Sequence, residues 1–329
     1  MLAGASTRVG AVAIGRNEGE RLMRCLASLK DRVAHVVYVD SASSDGSAAV
    51  ARAAGAQVVE LDLTVPFTAA RARNAGFSAL RATIPQIELV QFVDGDCEVA
   101  LGWFEAGLAA LDASPDVAVV CGRRRERFPQ ASFYNAMCDT EWNTPVGEAA
   151  ACGGDALMRA GVVAAVGAFD ERLMAGEEPE MCGRIRAAGH RVRRIDAEMT
   201  IHDAAMHRLR QWWLRGVRSG FGYAQVRDVT MRAPHSLYRR EYASALVWGL
   251  AIPLLAVPLA LIHPAVALLV PAVFALQLAR IAVRRGAFAL DSWRYGSLML
   301  IAKFAEVRGI LRYLASRRAA QSIIEYKSA

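Results

Sequence analysis

The sequence predicts an α/β fold, a sheet flanked by helices, with a membrane-associated helical region behind it. Three observations carry this reading. From residue 9 short β-rich runs alternate with helical stretches, polar clusters recur where the runs end, and residues 242–279 contain no Asp, Glu, Lys or Arg. Such alternation is the pattern of strands joined by crossover helices in a parallel sheet. A chain of 329 residues, 54% of them hydrophobic, can bury a sizeable core and is not disordered.

The expected strands are 9–14, 33–39, 57–61, 89–93 and 117–121, each a short run rich in Val, Ile, Leu or aromatic residues. Between them 18–29, 45–54, 69–82 and 103–113 read as helices. A sheet of this kind binds ligands at the carboxyl ends of its strands. That edge receives Gly15-Arg16-Asn17-Glu18, then Asp40-Ser41, then Asp94-Gly95-Asp96.

The second part of the chain differs in charge. Residues 1–204 hold 21 Lys and Arg against 27 Asp and Glu, and residues 205–329 hold 18 against 5, so the net +7 comes wholly from the last third. A basic third beside apolar segments points to anionic membrane lipid and not to nucleic acid. The 38 uncharged residues 242–279 approach two membrane-spanning helices of about 20 residues each. His263-Pro264 supplies the turn, and Arg239, Arg240, Arg280, Arg284 and Arg285 flank the run on one side. Pro253, Pro258 and Pro271 keep open a re-entrant or buried pair. Leu300, Phe304, Val307, Leu311 and Leu314 form an apolar stripe edged by Lys303, Arg308 and Arg312, suited to a membrane-surface helix or to an ordinary docked one. Trp212 and Trp213, among the arginines of 208–218, present the same choice. The N-terminal run carries no secretory signal, so the first part is expected in the cytosol, at the inner (plasma) membrane. The six cysteines form no CxxC pair and are expected as reduced thiols.

The stretch 89-LVQFVDGDCEV-99 ends an apolar strand in two carboxylates. Turned to one side by the loop, Asp94 and Asp96 could hold Mg²⁺ or Mn²⁺, hard ions that share ligands with phosphate oxygens. Asp-Gly-Asp alone is equally a solvated turn. Its neighbours at the same edge raise its weight: Asn17, Glu18, Asp40 and 71-RARNAG-76.

Six stretches in order, 12-VAIGRNEGERLMRCLASL-29, 37-VYVDSASSDGS-47, 71-RARNAG-76, 91-QFVDGDCEV-99, 153-GGDALMRAGVVAAVGAFDERL-173 and 176-GEEPEMCGRIRAAGH-190, together resemble family 2 glycosyltransferases of the GT-A fold. The resemblance implies a Rossmann-like mixed sheet for residues 1–204. Basic, Trp-containing interfacial helices are expected at 205–241, the hydrophobic hairpin at 242–285 and an amphipathic basic helix at 286–329. It implies that Asn17 and Glu18 line a nucleotide pocket, that Asp40 accepts a hydrogen bond from the base, and that Ser41 and Asp45 shape that loop. Asp45 is also expected as a helix N-cap. Arg73 would reach the diphosphate or the Asp94 side, Asn74 would fix the turn, and Asp94 and Asp96 would be the DxD pair, with Asp96 the direct metal ligand.

The family's downstream acidic motif is usually Glu-Asp, and here it reads Glu177-Glu178, so Glu178 is the expected base. The extra methylene moves its carboxylate by more than an ångström, and Glu180 is a rival. A solvated helix start is the plain alternative for this acidic run. His202 stands where related transferases often place a metal-proximal histidine, with Asp203 able to orient it. Trp142 is expected as a sugar platform, and Asp155 near the acceptor hydroxyl. Arg123, Arg124, Arg125 and Arg127 would be cations for a lipid-linked diphosphate. In 211-QWWLRG-216 the QxxRW pattern of processive synthases is broken, which favours transfer of one sugar.

The resemblance thus implies an inverting transferase acting in surface polysaccharide biosynthesis. It would move a sugar from a nucleotide-diphosphate donor, UDP-sugar first, to a lipid-linked or saccharide acceptor at the cytoplasmic membrane face, with a divalent cation. The other reading is a catalytically impaired nucleotide-sugar-binding membrane protein, which the Glu-Glu departure supports. A nucleotidyltransferase is disfavoured, since the first strand lacks a Gly-rich, Lys-terminated loop.

Overall fold

The computed structural model describes residues 7–62 and 64–316, which divide into two compact units between His207 and Arg208. The first unit begins β1 (Val9–Gly15), α1 (Glu20–Leu29), β2 (His35–Asp40), α2 (Ser47–Ala53), β3 (Gln57–Glu60), α3 (Ala69–Thr83), β4 (Leu89–Asp94) and β5 (Cys97–Val99). It continues α4 (Trp103–Asp112), β6 (Val117–Glu126), α5 (Phe133–Glu141), β7 (Gly147–Glu148), β8 (Ala156–Arg159), α6 (Ala160–Ala165), α7 (Glu177–Ala187) and β9 (Arg191–His202). All the elements expected between residues 9 and 121 are present, their starts within two residues of expectation.

The strands lie in the order β3-β2-β1-β4-β8-β6-β9-β5, with β7 on β9. The first four are parallel, which the alternation of strands and helices predicts. Beyond β4 the sheet becomes mixed, since β8 runs antiparallel to both β4 and β6, and β5 antiparallel to β9. This corrects the wholly parallel pattern that the alternation alone suggests and agrees with the mixed sheet that the family resemblance implies. β1 and β4 are central and covered on both faces, and therefore read as mostly apolar runs: Val9, Ala11, Val12 and Ala13 beside Leu89, Val90, Phe92 and Val93 are all buried, and the one polar residue of the β4 interior, Gln91, accepts from the Trp103 indole.

Helix starts follow local chemistry. The side chains of Thr68 and Ser132 accept hydrogen bonds from the amides of Arg71 and Asn135 and so cap α3 and α5. Asp45 is not the N-cap of α2: Gly46 takes that position with φ 84°, and Asp45 works from one residue earlier, accepting from the Ser47 amide and hydroxyl. α3 presses close to the sheet because Gly76 faces β1 and β2, where an added Cβ would lie 2.4 Å from Val12 Cγ1 and 2.8 Å from Val39 Cγ2.

The second unit holds α8 (Leu209–Thr230), α9 (Arg239–Leu246), a π-helical turn at Val247–Ala251, α10 (Ile252–Ile262), α11 (Pro264–Ala267), α12 (Leu269–Arg285) and α13 (Leu290–Ser316). Arg239–Ile262 and Pro264–Arg285, 24 and 22 residues, are long and apolar enough to cross a membrane. Their side chains are largely exposed, among them Leu255, Val257, Leu261, Leu269 and Leu276. In α13 the face that packs inward is one of small residues. An added Cβ on Gly309 would meet Val217 O, and one on Gly220 would meet Glu306 O, each at 2.0 Å, so α8 and α13 touch backbone to backbone. The expected stripe divides: Val307 is buried, whereas Phe304, Leu311 and Leu314 are exposed. Trp212 is buried, with the Arg215 guanidinium 5.3 Å from its ring centre. Residues 317–329 of the expected C-terminal helix lie outside the described residues.

Replacing Gly76 by Ala forces either α3 or the β1 and β2 valines to move. Overpacking of this kind costs about 1–3 kcal/mol, and thermal unfolding of Gly76→Ala should show a midpoint lowered by several degrees.

Candidate active site

The loop after β1 and the loop after β2 are tied to each other. Asn17, with φ 55°, donates its amide to Ser43 Oγ at 2.9 Å and accepts from the Ser44 amide on Oδ1 at 2.8 Å. Asp45 Oδ2 accepts from the Gly19 amide at 3.0 Å. Asp40 is buried at the end of β2, accepting from the Tyr38 hydroxyl at 3.1 Å and the Ser43 amide at 2.8 Å. Ser41 is buried beside it, and Glu18, also buried, pairs with Arg21 at 2.9 Å. Burial, with the Asp40 charge next, pushes the Tyr38 phenol upward.

At the end of β4 the carboxylates meet arginines. Arg73, projecting from α3 and 3% exposed, donates to Asp94 Oδ1 at 2.8 Å and to Glu177 Oε1 at 2.6 Å. Burial alone would lower the Arg73 pKa, but the charges of Asp94, Glu178 and Glu177 hold it above its ordinary value. Arg124 Nη2 lies 2.7 Å from Asp155 Oδ2 and 3.5 Å from Asp94 Oδ2. Asp155 also accepts from Thr200 Oγ1 at 2.7 Å and from the Asp94 amide at 3.0 Å. Fully buried, it has no surface to offer an acceptor hydroxyl, which corrects the acceptor role expected for it. It braces the turn that carries the DxD pair.

The arginine run does not form one cationic patch. Register shifts in β6 around Arg123 send successive side chains to different partners: Arg123 to Asp139, Arg124 to Asp155, Arg125 to Glu198 and Arg127 to Glu98. Arg124 alone of the four reaches the DxD pair.

Asp96, in the turn before β5, meets His202 at the end of β9, with Asp96 Oδ2 3.2 Å from His202 Nε2. Two ligand atoms each about 2.1 Å from a small divalent ion lie about 3.0 Å apart at an octahedral angle and about 3.4 Å at a tetrahedral one, so this pair fits such an ion. Asp203 does not orient the ring as expected. Its carboxylate turns to Arg24 at 3.8 Å and its amide donates to Asp96 O, while His202 Nδ1 is buried with no partner among the described residues. Trp142 packs edge-on against His202 with ring centres 4.7 Å apart, and the Arg124 guanidinium lies 5.6 Å from the Trp142 ring. The tryptophan expected as a platform therefore borders the metal-ligand group.

The acidic run opens α7. Glu177 is taken up by Arg73, and Glu180 by Arg184, which donates to both of its oxygens at 2.6 to 3.0 Å. Glu178 is held less tightly, 3.7 Å from Arg73 Nη1. Burial, and then the charge of Glu177, push its carboxyl up to about 7 against the pull of Arg73. Asn74 lies inside α3, where it does not fix a turn: it pins the loop before α7, donating to Phe169 O at 2.8 Å and accepting from the Phe169 amide at 3.0 Å.

With that geometry in place, the sequence model for Glycosyl transferase family 2 matches residues 12–149. The chain carries a family 2 glycosyltransferase domain. A TPR repeat-containing protein of Synechococcus elongatus is 41% identical over 70 residues, 21% of this chain and 17% of that protein. Glycosyltransferase AglE of Haloferax volcanii is 25% identical over 187 residues, 53% of this chain and 60% of that one. The chain thus spans less than two thirds of the length of either relative. Mannosyltransferase PcManGT of Pyrobaculum calidifontis, solved with GDP-Man and Mn²⁺, shares the fold at a TM-score of 0.61 and 20% identity, over 92% of this chain and 87% of that one. In the glycosyltransferase domain sequence reasoning passed over Thr200, in a strand too charged to read as one, and it read Arg124 only as one of a run of cations, not as the partner of Asp155 and Asp94.

Arg73→Met would leave the buried Glu177 without its counter-charge and Asp94 with Arg124 at 3.5 Å, a loss of about 3–5 kcal/mol. Arg73→Lys keeps the charge but cannot fork across both carboxylates. Thermal unfolding should rank wild type above Arg73→Lys and Arg73→Lys above Arg73→Met.

Proposed function

We propose that this chain transfers a single sugar from a nucleotide-diphosphate donor to an acceptor hydroxyl in one inverting displacement, with Glu178 as the base. The observation that carries the reading is the division of labour among the three glutamates of α7. Glu177 and Glu180 are engaged by arginines, while Glu178 keeps a carboxyl titrating near 7, suited to taking a proton at neutral pH. The same observation weighs against a catalytically impaired binding protein, because the longer glutamate at this position retains the environment of a base.

Asp40, Ser41 and Asn17 line the base and ribose side, and Arg73 orients Asp94 toward the diphosphate. Asp96 and His202 would hold a divalent cation, which supplies positive charge against the oxygens of the leaving diphosphate. PcManGT, of the same fold, was solved with GDP-Man and Mn²⁺, which supports a nucleotide sugar as donor here. Trp142, beside His202, is placed to stack on a sugar ring.

The acceptor is proposed to be a lipid-linked saccharide at the cytoplasmic membrane face, used one sugar at a time. Two exposed apolar helices of 24 and 22 residues support embedding in a bilayer, and the arginines at the hairpin's two ends suit a cytoplasmic side. The exposed Phe304, Leu311 and Leu314 of α13 extend the apolar surface available to lipid.

Glu178→Gln should lower kcat about 10²–10⁴-fold while leaving the thermal midpoint in place. In the wild type kcat should fall about tenfold per pH unit below pH 7, because protonation removes the base, and a flat profile down to pH 5 would remove the assignment. Membranes bearing the chain should retain it through high-salt and alkaline washes and release it to detergent. Release by salt alone would contradict the spanning hairpin.

A further inference from the structure

Cys97 follows the DxD pair immediately, is 1% exposed, and has no part in the reaction described above. Its place is set by backbone register. Cys97 on β5 is paired directly across the antiparallel ladder with His202 on β9, so the two side chains share one face of the sheet. The thiol Sγ lies 3.7 Å from Asp96 Oδ1, on the side of the carboxylate opposite the oxygen that meets the imidazole. Ligand atoms of Asp96, Cys97 and His202 all fall within 4.8 Å of one another.

We propose that Cys97 is a third ligand of the divalent-cation centre, and that its thiolate makes the centre select a borderline-soft ion, Zn²⁺, over Mg²⁺. The inference rests on Asp96 and His202 being that centre and adds to it the ligand that decides which ion is preferred. The distances suit it. A sulfur about 2.3 Å and an oxygen about 2.1 Å from one tetrahedral ion stand about 3.6 Å apart, close to the 3.7 Å between Cys97 and Asp96. Thiolate, imidazole and carboxylate are a donor set that zinc accepts, whereas Mg²⁺ takes oxygen ligands and keeps several waters. When the metal enters, the thiol proton leaves to solvent and an S–metal bond forms, with no change of oxidation state.

The test uses the full chain in detergent, stripped of metal. Cd²⁺ serves as a probe for thiolate ligation through its ultraviolet charge-transfer band, and Mn²⁺ binding is followed by electron paramagnetic resonance. Cys152 and Cys182 lie 3.6 Å apart and could bind Cd²⁺ themselves, so every protein also carries Cys152→Ser. In that background the Cd²⁺ band should appear with Cys97 present and vanish in Cys97→Ser. The Zn²⁺ over Mg²⁺ affinity ratio should fall about tenfold or more in Cys97→Ser, while Mn²⁺ still binds. A band that persists in Cys97→Ser, or an unchanged ratio, overturns the inference. Failure of Mn²⁺ to bind wild type, or its full retention in Asp96→Ala, would instead overturn the underlying metal centre.

Discussion

The Arg73 guanidinium stands between the end of β4 and the start of α7, and Asp94, Glu177 and Glu178 all gather around it. Taken out of water, such a cation costs several kcal/mol unless its partners are close and well aligned. Here the Asp94 and Glu177 carboxylates are both within hydrogen-bond distance of its two terminal nitrogens. The planar fork of an arginine suits this task, because two donors can be aimed at two different carboxylates at once. Two segments more than 80 residues apart are thereby held in one register. A cost of the arrangement appears on Glu178, which shares its burial and its neighbour's negative charge without an equal share of the arginine. Burial raises that carboxyl most and the Glu177 charge next, while Arg73 pulls it down.

A second arginine repeats the device one layer away. Arg124 ties Asp155 to Asp94 and lies over the edge of Trp142, while Asp155 anchors the Asp94 amide and Thr200. The mixed sheet makes this possible. Its parallel half delivers Asn17, Asp40 and Asp94 to a common edge, and the reversal at β8 lets β6 and β9 bring Arg124, Thr200 and His202 to the same place. The edge thus joins a part built on parallel strands to one in which β5 and β9 pair antiparallel.

Much of the first half was legible in the sequence because each element there satisfies local rules. β1, β2 and β4 are apolar runs buried on both faces, and polar turn residues mark their ends. β7 and β8 are 2 and 4 residues long, too short to leave a pattern, and β9 carries charged residues at Arg191, Arg193, Arg194, Asp196 and Glu198 that mask its strand character. The DxD pair, Glu178 and His202 could be found from motif order, but their partners could not. Arg73 meets Glu177 across 104 positions and Arg124 meets Asp155 across 31, and no local signal records such a pairing. Asp155 and Asp203 show the consequence: one was expected near the acceptor hydroxyl and the other to orient the His202 ring, yet the first braces the DxD turn and the second turns to Arg24. In α13 the bulky stripe was legible, but of it only Val307 is fully buried, and beside Val307 and Ile310 the buried face holds Ala302, Ala305 and Gly309, because close backbone contact with α8 admits small side chains there.

One buried arginine engages Glu177 and Asp94, and Glu178, buried beside the Glu177 charge, is left a carboxyl poised at neutral pH. Isotope-edited infrared titration reads this directly, with the Glu178 band assigned by its loss in Glu178→Gln. The account predicts a protonation midpoint near 7 for Glu178 in the wild-type chain. A midpoint near that of an ordinary exposed glutamate, about 4.3, would contradict it.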